Sequence, residues 1–400
     1  MKNEQLVARG KAVLTPNYKQ APLALVRGAG SRVWDADGGE YLDCICGIAV
    51  NALGHCHPAL VEALEAQGRE LWHVSNLFFN PRAVELAEAL LEGSLFAKRV
   101  FFCNSGAEAN EAMLKLARKY QADLGRPERN EIVACVNSFH GRTMFALACT
   151  GQPKYHHGFE PLVPGVRHVP YGDLAALEQA LGPRTAAFIV EPIQGEAGVM
   201  PAPAGYLAAA RELTRKAGAL LCFDEVQTGV GRTGRMWAHE WDGVAPDLLS
   251  AAKALANGFP MGALLASEEV GAHLTPGSHA STFGGNALGC AVALATLKVM
   301  RGGVLEASRA VSARLVERLE ALRSTGRVAG VRGRGMLQGV LLQGVSAGEV
   351  VEGARDRGLL VNAIGDAVIR FAPALTLTAA EADLAAERLG AAIQAAPARG

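Results

Sequence analysis

An amine and a carboxylate at the ends of two short apolar runs are the residues of this chain best placed to do chemistry. Lys253 closes Asp247-Leu-Leu-Ser-Ala-Ala-Lys253, and the pair Asp224-Glu225 closes the run that begins at Ala219. If both runs are buried strands of one parallel sheet, the two side chains meet at its carboxyl edge, where open α/β folds bind ligands. A buried lysine beside positive or apolar groups sheds its proton more easily and attacks carbonyls, whereas a buried carboxylate needs a fixed cation to stay ionised. Pyridoxal phosphate answers both demands, with an aldehyde for the lysine and a ring nitrogen for the aspartate.

Such a crevice needs a sheet behind it. Apolar runs rich in Val, Ile and Phe predict strands at Arg99 to Cys103, Glu131 to Val136, Ala186 to Val190, Ala219 to Phe223, Leu248 to Ala251 and Gly262 to Ala266. Between them lie longer segments of helical period, which predicts an α/β fold with a mostly parallel sheet wrapped on both faces. A helical stretch from Ala287 through Leu322 leads to a second pattern: a strand over Met336 to Leu342, a helix over Ala347 to Arg357, a strand over Val368 to Phe371 and a terminal helix. The expected division is a large ligand-binding domain over 51–305 and a smaller α/β domain over 306–400, joined by 1–50.

Further motifs sit at the expected strand ends. Asn104-Ser105-Gly106-Ala107 opens a helix whose free N–H groups and dipole suit a phosphate, although Ser105 serves as well as a plain cap. Phe139 can stack on a planar ring and Arg142 can hold a carboxylate with two parallel bonds; the alternative is a core phenylalanine and a solvated arginine. Glu191, Glu196 and Arg370 read in isolation as edge charges, and Ser278 to Asn286 as a second hydroxyl-rich turn before a helix. Gly229-Val-Gly231-Arg-Thr-Gly234 matches a dinucleotide fingerprint and keeps a nicotinamide dehydrogenase open. Yet Asp224 and Glu225 precede it and no long amphipathic helix follows, so a loop is expected. His55, His57, His156 and His157 lack the acidic or thiol companions of a metal site, and no metal is expected.

Lys plus Arg and Asp plus Glu are 39 each, a balance that argues against nucleic-acid or anionic-membrane partners and favours small molecules. The eight cysteines are scattered through apolar runs and read as reduced core thiols. No apolar signal core opens the chain, and no stretch is expected to reach the ~18 apolar residues of a membrane helix; the cytoplasm is the expected compartment.

Taken together, these motifs resemble the subgroup III, or ω-amino, family of pyridoxal-phosphate aminotransferases of fold type I. The likeness spans nearly the whole chain: Trp34-Asp-Ala-Asp-Gly, Gly54-His-Cys-His-Pro58, Phe102-Cys-Asn-Ser-Gly-Ala-Glu-Ala-Asn110, Ser138-Phe-His-Gly-Arg-Thr143, Glu191-Pro-Ile-Gln-Gly-Glu196, Phe223-Asp-Glu-Val-Gln227, Ser250-Ala-Ala-Lys253 and Ser281-Thr-Phe-Gly-Gly-Asn286. The resemblance implies a seven-stranded sheet, with Lys253 as the cofactor-bearing proton shuttle and Asp224 as the partner of the ring nitrogen. Ser105, Gly106 and Ala107 are then phosphate ligands, and Phe139, Glu225, Val226 and Gln227 cofactor contacts, with Thr282 supplied by the second subunit of a homodimer. Arg142 and Ser281 are implied to receive the first substrate, and Arg370 the second carboxylate of 2-oxoglutarate, with Glu196 masking Arg370 in between.

The family members that this chain resembles most transfer the δ-amino group of N2-acetylornithine to 2-oxoglutarate, giving N-acetylglutamate 5-semialdehyde and glutamate in arginine biosynthesis. Succinylornithine, succinyl-diaminopimelate and a carrier-bound lysine precursor are the implied alternatives. Ile48 stands where relatives acting on free ornithine carry a tyrosine, which disfavours the unacylated donor. Ala197 replaces a glycine of the family's loop, where it is expected to stiffen the segment that carries Glu196.

Overall fold

Seven strands build the sheet behind the crevice: β1 (Arg99–Cys103), β2 (Glu131–Cys135), β3 (Val166–Val169), β4 (Thr185–Val190), β5 (Leu220–Asp224), β6 (Leu248–Ala251) and β7 (Gly262–Ala266). The structure, a computed structural model, describes residues 1–399. The strand order is β1-β7-β6-β5-β4-β2-β3. Strands β2 and β4 to β7 are buried along their whole length, which is why they read as unbroken apolar runs: helices cover both faces. β3 escapes that signal because Val166-Arg-His-Val169 is a partly exposed edge strand.

All neighbours run parallel except β7, which is antiparallel to both β6 and β1. The short link from Ala251 to Gly262 holds one 3-10 turn, Lys253–Ala256, and has no room for a crossover helix, so the chain must return antiparallel. Asp224 faces Ser250 across the β5–β6 pair, and Lys253 follows three residues later at the same carboxyl edge. The two residues singled out by the apolar runs therefore share one crevice.

Helix α1 (Gly106–Asp123) starts at the end of β1, capped by Ser105, whose Oγ accepts the Glu108 N–H at 3.2 Å. It buries Ala109, Met113, Leu116, Ala117 and Tyr120 against the sheet, the stripe its spacing predicts. One helical run, Ala287–Thr325, is long and apolar enough to cross a membrane, with mean hydropathy 1.5 over its best window. This corrects the expectation that no such stretch exists. Its apolar residues Cys290, Val292, Ala293, Leu297, Met300, Leu315 and Leu319 belong to the main buried core.

A second sheet of four strands, β8 (Val328–Arg334), β9 (Leu337–Leu342), β10 (Asn362–Ile364) and β11 (Val368–Phe371), is antiparallel throughout, in the order β8-β9-β11-β10. β8 is silent in the sequence because two glycines and two arginines interrupt its apolar residues. Near the N-terminus Glu40–Asp43 pairs with Leu359–Leu360, Leu42 opposite Leu359, so the two ends of the chain share a sheet. Seven of the eight cysteines are buried and Cys56 is exposed, and none is in a disulfide.

Candidate active site

At the carboxyl edge of β1, β2, β4, β5 and β6 a cleft of about 380 Å³ collects Ser105, Gly106, Ala107, Phe139, Arg142, Glu196, Asp224, Val226, Gln227 and Lys253. Asp224, four per cent exposed, has its oxygens fixed from three sides. Oδ2 accepts from Asn110 Nδ2 at 2.7 Å and lies 2.8 Å from His140 Nδ1, while Oδ1 accepts the Val226 N–H at 3.0 Å. Asn110 is held in turn, donating to the His140 carbonyl at 2.7 Å and accepting from Ser250 Oγ at 2.6 Å. His140 Nε2 is buried without a partner, and a proton on Nδ1 would point at Asp224.

Lys253 has φ +40°, a left-handed backbone that lysine seldom adopts, fixed by the turn after β6. Burial pushes its ammonium down to about 8, against the pull of Glu196, Asp224 and Glu191 and with a push from Arg370. The sign follows from the charge: burial disfavours the cation, so the neutral amine prevails above about pH 8 rather than above the ordinary lysine value of 10.5. Protein stripped of cofactor is therefore expected to capture pyridoxal phosphate covalently at a rate that rises about tenfold per pH unit up to pH ~8 and then levels. Stopped-flow absorbance from pH 6 to 10 checks this, and a midpoint near 10 would contradict it.

Glu191, read from sequence as an edge charge, lines the cleft instead, six per cent exposed, with its Oε2 accepting the Phe139 N–H at 3.2 Å. Burial, then the nearby Asp224, raises its carboxyl well above the usual range. Glu196 goes the other way. Burial alone would raise it, but Arg370 and Lys253 outweigh that and hold it ionised. The Arg370 guanidinium, one per cent exposed, pairs with Glu196 Oε1 and also reaches Gln227 Oε1 at 3.3 Å and Asn362 Oδ1 at 3.2 Å. Ala197 is absent from the residues with positive φ, so the alanine adds no backbone strain beside Glu196.

Four residues expected in the site stand outside the cleft lining. Glu225 points away from Asp224, as successive residues at a strand end must. Its carboxylate accepts from the Ala238 and His239 N–H groups at 2.6 and 2.9 Å and lies 2.8 Å from His239 Nδ1, so its side chain anchors a loop and offers a cofactor nothing. Arg370 sits behind Glu196. Ser281 accepts from Asn104 Nδ2 at 3.2 Å and is one shell back, and Thr282 is exposed away from its own cleft. The Gly229 to Gly234 segment is a loop followed by a 3-10 turn, with Arg232 wholly buried and donating to the Met336 and Pro373 carbonyls. His55 is spent on Asp43, 2.8 Å away, and His57 precedes the proline that opens helix Pro58–Gly68.

Asn110, His140 and Glu191 are the site residues that sequence reasoning missed. Asn110 did leave a signal: it shares the buried stripe of α1 with Met113 and Ala117, and a buried amide must be hydrogen-bonded to something. A further marker is the turn Cys46–Ala49, where four consecutive residues have φ between +48° and +65°, a left-handed stretch that leads straight into Val50 on the cleft wall. Strain of this kind persists only where the surroundings impose it, and it gathers at ligand sites.

The donor set fits pyridoxal phosphate. Gly106 and Ala107 are the first helical residues of α1, so their N–H groups have no partner within the helix and line the cleft. A Cβ at Gly106 would fall 2.6 Å from Val226 Cγ1, so the phosphate loop and the residue beneath the ring pack as closely as glycine alone permits. Val226, Phe139, Lys253 and Asp224 line the same cleft. A flat ring bearing an aldehyde, a basic nitrogen and a phosphate is the ligand whose charges these groups complement.

Comparison with known proteins agrees. The description "Aminotransferase class-III" matches residues 13–393. An acetylornithine aminotransferase of Myxococcus xanthus is 51% identical over 384 residues, covering 95% of each chain. A Pseudomonas aeruginosa relative described as succinylornithine transaminase/acetylornithine aminotransferase is 47% identical over 385 residues, again with 95% of each chain covered. Among solved structures, the ornithine aminotransferase of Toxoplasma gondii, described with partial occupancy of pyridoxal phosphate at its active site, superimposes with a TM-score of 0.95 at 35% identity, over 98% of this chain and 94% of that one. The chain belongs to the class-III aminotransferases, pyridoxal-phosphate enzymes of fold type I.

Proposed function

We propose that this enzyme transfers the δ-amino group of N2-acetylornithine to 2-oxoglutarate. The observation that carries the reading is a pair of arginines in opposite states at one cleft: Arg142 open to it, and Arg370 buried behind the carboxylate of Glu196. The first substrate has one carboxylate to bind and the second has two. A free arginine serves both, and a second arginine released only when Glu196 moves serves the dicarboxylate alone. The names of the Myxococcus and Pseudomonas relatives support an acylated ornithine as donor.

The cofactor would be held by Ser105, Gly106 and Ala107 at its phosphate, by Val226 and Phe139 on its ring faces and by Asp224 at its nitrogen. When bound, it supplies an electron sink for the pair left at the substrate carbon. Lys253 Nζ removes the proton there and redelivers it, a task for which an amine with a lowered proton affinity is suited. Asn110 and His140 keep Asp224 oriented. Burial and the nearby Asp224 raise the Glu191 carboxyl, which opposes a second negative charge beside Asp224.

A homodimer is part of the proposal. Thr282 lies outside its own cleft beside Phe283, and the loop from Ser281 to Gly284 is tied by Asn76 Nδ2 to a patch in which Trp72, Leu77, Phe78 and Phe79 stand exposed, Phe79 by 96%. An apolar patch of this kind marks an interface, and a second copy seated there would receive Thr282 at its phosphate.

Steady-state kinetics with acetylornithine, succinylornithine, succinyl-diaminopimelate and free ornithine test the assignment. Acetylornithine should give the highest kcat/KM and free ornithine the lowest. Strong turnover of another donor with none of acetylornithine would overturn it.

A further inference from the structure

The guanidinium of Arg142 touches two aromatic faces. Its Cζ lies 3.8 Å from the ring centroid of Tyr155 and 5.4 Å from that of Phe139. Among the described residues it has no carboxylate or carbonyl partner, and it is exposed toward the cleft. Stacking engages the flat face of a guanidinium and leaves its in-plane N–H donors free, the edge that matches a carboxylate with two parallel bonds.

Tyr155 is held firmly enough to act as a platform. It ends the 3-10 turn Pro153–Tyr155, and its ring meets Phe139 edge to face at 6.0 Å. The segment before it is stapled to the loop that carries Phe139 and Arg142. Gln152 Nε2 donates to the Asn137 and Ser138 carbonyls, each at 3.2 Å, the Gly151 N–H donates to Ser138 Oγ at 3.0 Å, and Thr150 Oγ1 accepts the His140 N–H at 2.9 Å. The Tyr155 hydroxyl takes no part in these bonds, so the ring face alone meets Arg142.

We propose that Tyr155 is a positioning residue for Arg142, restraining its guanidinium so that its donor edge faces the carboxylate shared by both substrates. An arginine without an ion partner keeps most of its rotamer freedom, and fixing it at binding costs affinity. The Tyr155 face removes part of that freedom beforehand without using a donor. Through Phe139, the same ring ties the carboxylate site to the wall of the cofactor cleft. This inference rests on the assignment of Arg142 to the substrate carboxylate.

The test uses the dimeric holoenzyme with Tyr155→Ala, Tyr155→Phe and, as control, Arg142→Ala. The probes are glutarate, a dicarboxylate that cannot react, and putrescine, a diamine without a carboxylate. Tyr155→Ala should weaken glutarate binding by calorimetry and raise KM for both carboxylate substrates about three- to tenfold, with kcat and putrescine turnover held within about twofold. Tyr155→Phe should behave as wild type. Equal loss in Tyr155→Phe, or equal loss with putrescine, would overturn the proposal. So would unchanged glutarate binding in Tyr155→Ala when Arg142→Ala weakens it. If Arg142→Ala itself leaves glutarate untouched, the assignment of Arg142 falls, and this inference with it.

Discussion

Lys253→Ala should abolish turnover while leaving a folded protein that still binds pyridoxal phosphate non-covalently. The rate is expected to drop about a thousandfold or more, because one side chain provides both the covalent anchor and the general acid–base, and the latter alone is worth about 10²- to 10⁴-fold. Reduction with borohydride followed by peptide mass analysis should find the cofactor on Lys253 in the wild type and on no residue in the variant. An adduct at another lysine, or turnover within tenfold of wild type, would overturn the assignment.

Stability gives an independent check on the same residue. A base whose folded pKa lies below its unfolded value binds fewer protons when folded, so the penalty is full below about pH 8 and fades as pH rises toward 10.5. In cofactor-free protein, Lys253→Ala should therefore be at least as stable as wild type at pH 7, with the difference shrinking above pH 8. Denaturant melts at pH 7 and pH 10 read it directly. A variant markedly weaker at pH 7 would mean that the amine is stabilised by its neighbours rather than strained by burial.

Sequence carried the strand ends well because buried parallel strands must be apolar throughout, and a charge at the end of such a run stands out. Asp224 and Lys253 were legible for that reason, and Arg370 at the end of Val368–Phe371 had the same form. Asn110, His140 and Glu191 were harder. Their roles depend on which helix face and which loop pack over β5, and that contact joins positions 84 and 114 residues apart. Glu225 illustrates the converse: it neighbours Asp224 in sequence, yet the alternation of side chains at the strand end turns it to the opposite side. Edge strand Val166–Val169 and the glycine-broken Val328–Arg334 lacked any apolar run to betray them. Tyr155 sits in a short 3-10 turn with no periodicity, and only its place over Arg142 gives it meaning.

The pairing of Arg370 with Glu196 supports the second large prediction. Arg370→Ala should spare the first half-reaction and cripple the second. With acetylornithine the cofactor is converted in a single turnover that needs Arg142 and Lys253, and Arg370 is covered by Glu196 throughout. With 2-oxoglutarate the additional carboxylate loses its charged partner, worth about 1.5 to 3 kcal/mol and hence roughly ten- to 150-fold in kcat/KM. The variant also strips Glu196 of the cation that opposes burial, so its carboxyl should rise toward neutrality and stop repelling an incoming anion as strongly. That partial relief places the loss toward the lower end of the range. Glu196→Gln, by contrast, weakens the mask while keeping Arg370, and should favour 2-oxoglutarate at the expense of the monocarboxylate donor. Single-turnover absorbance measured separately for each half-reaction distinguishes these outcomes. Equal slowing of both halves in Arg370→Ala would show that Arg370 supports the cleft as a whole and is not a gate for the second substrate.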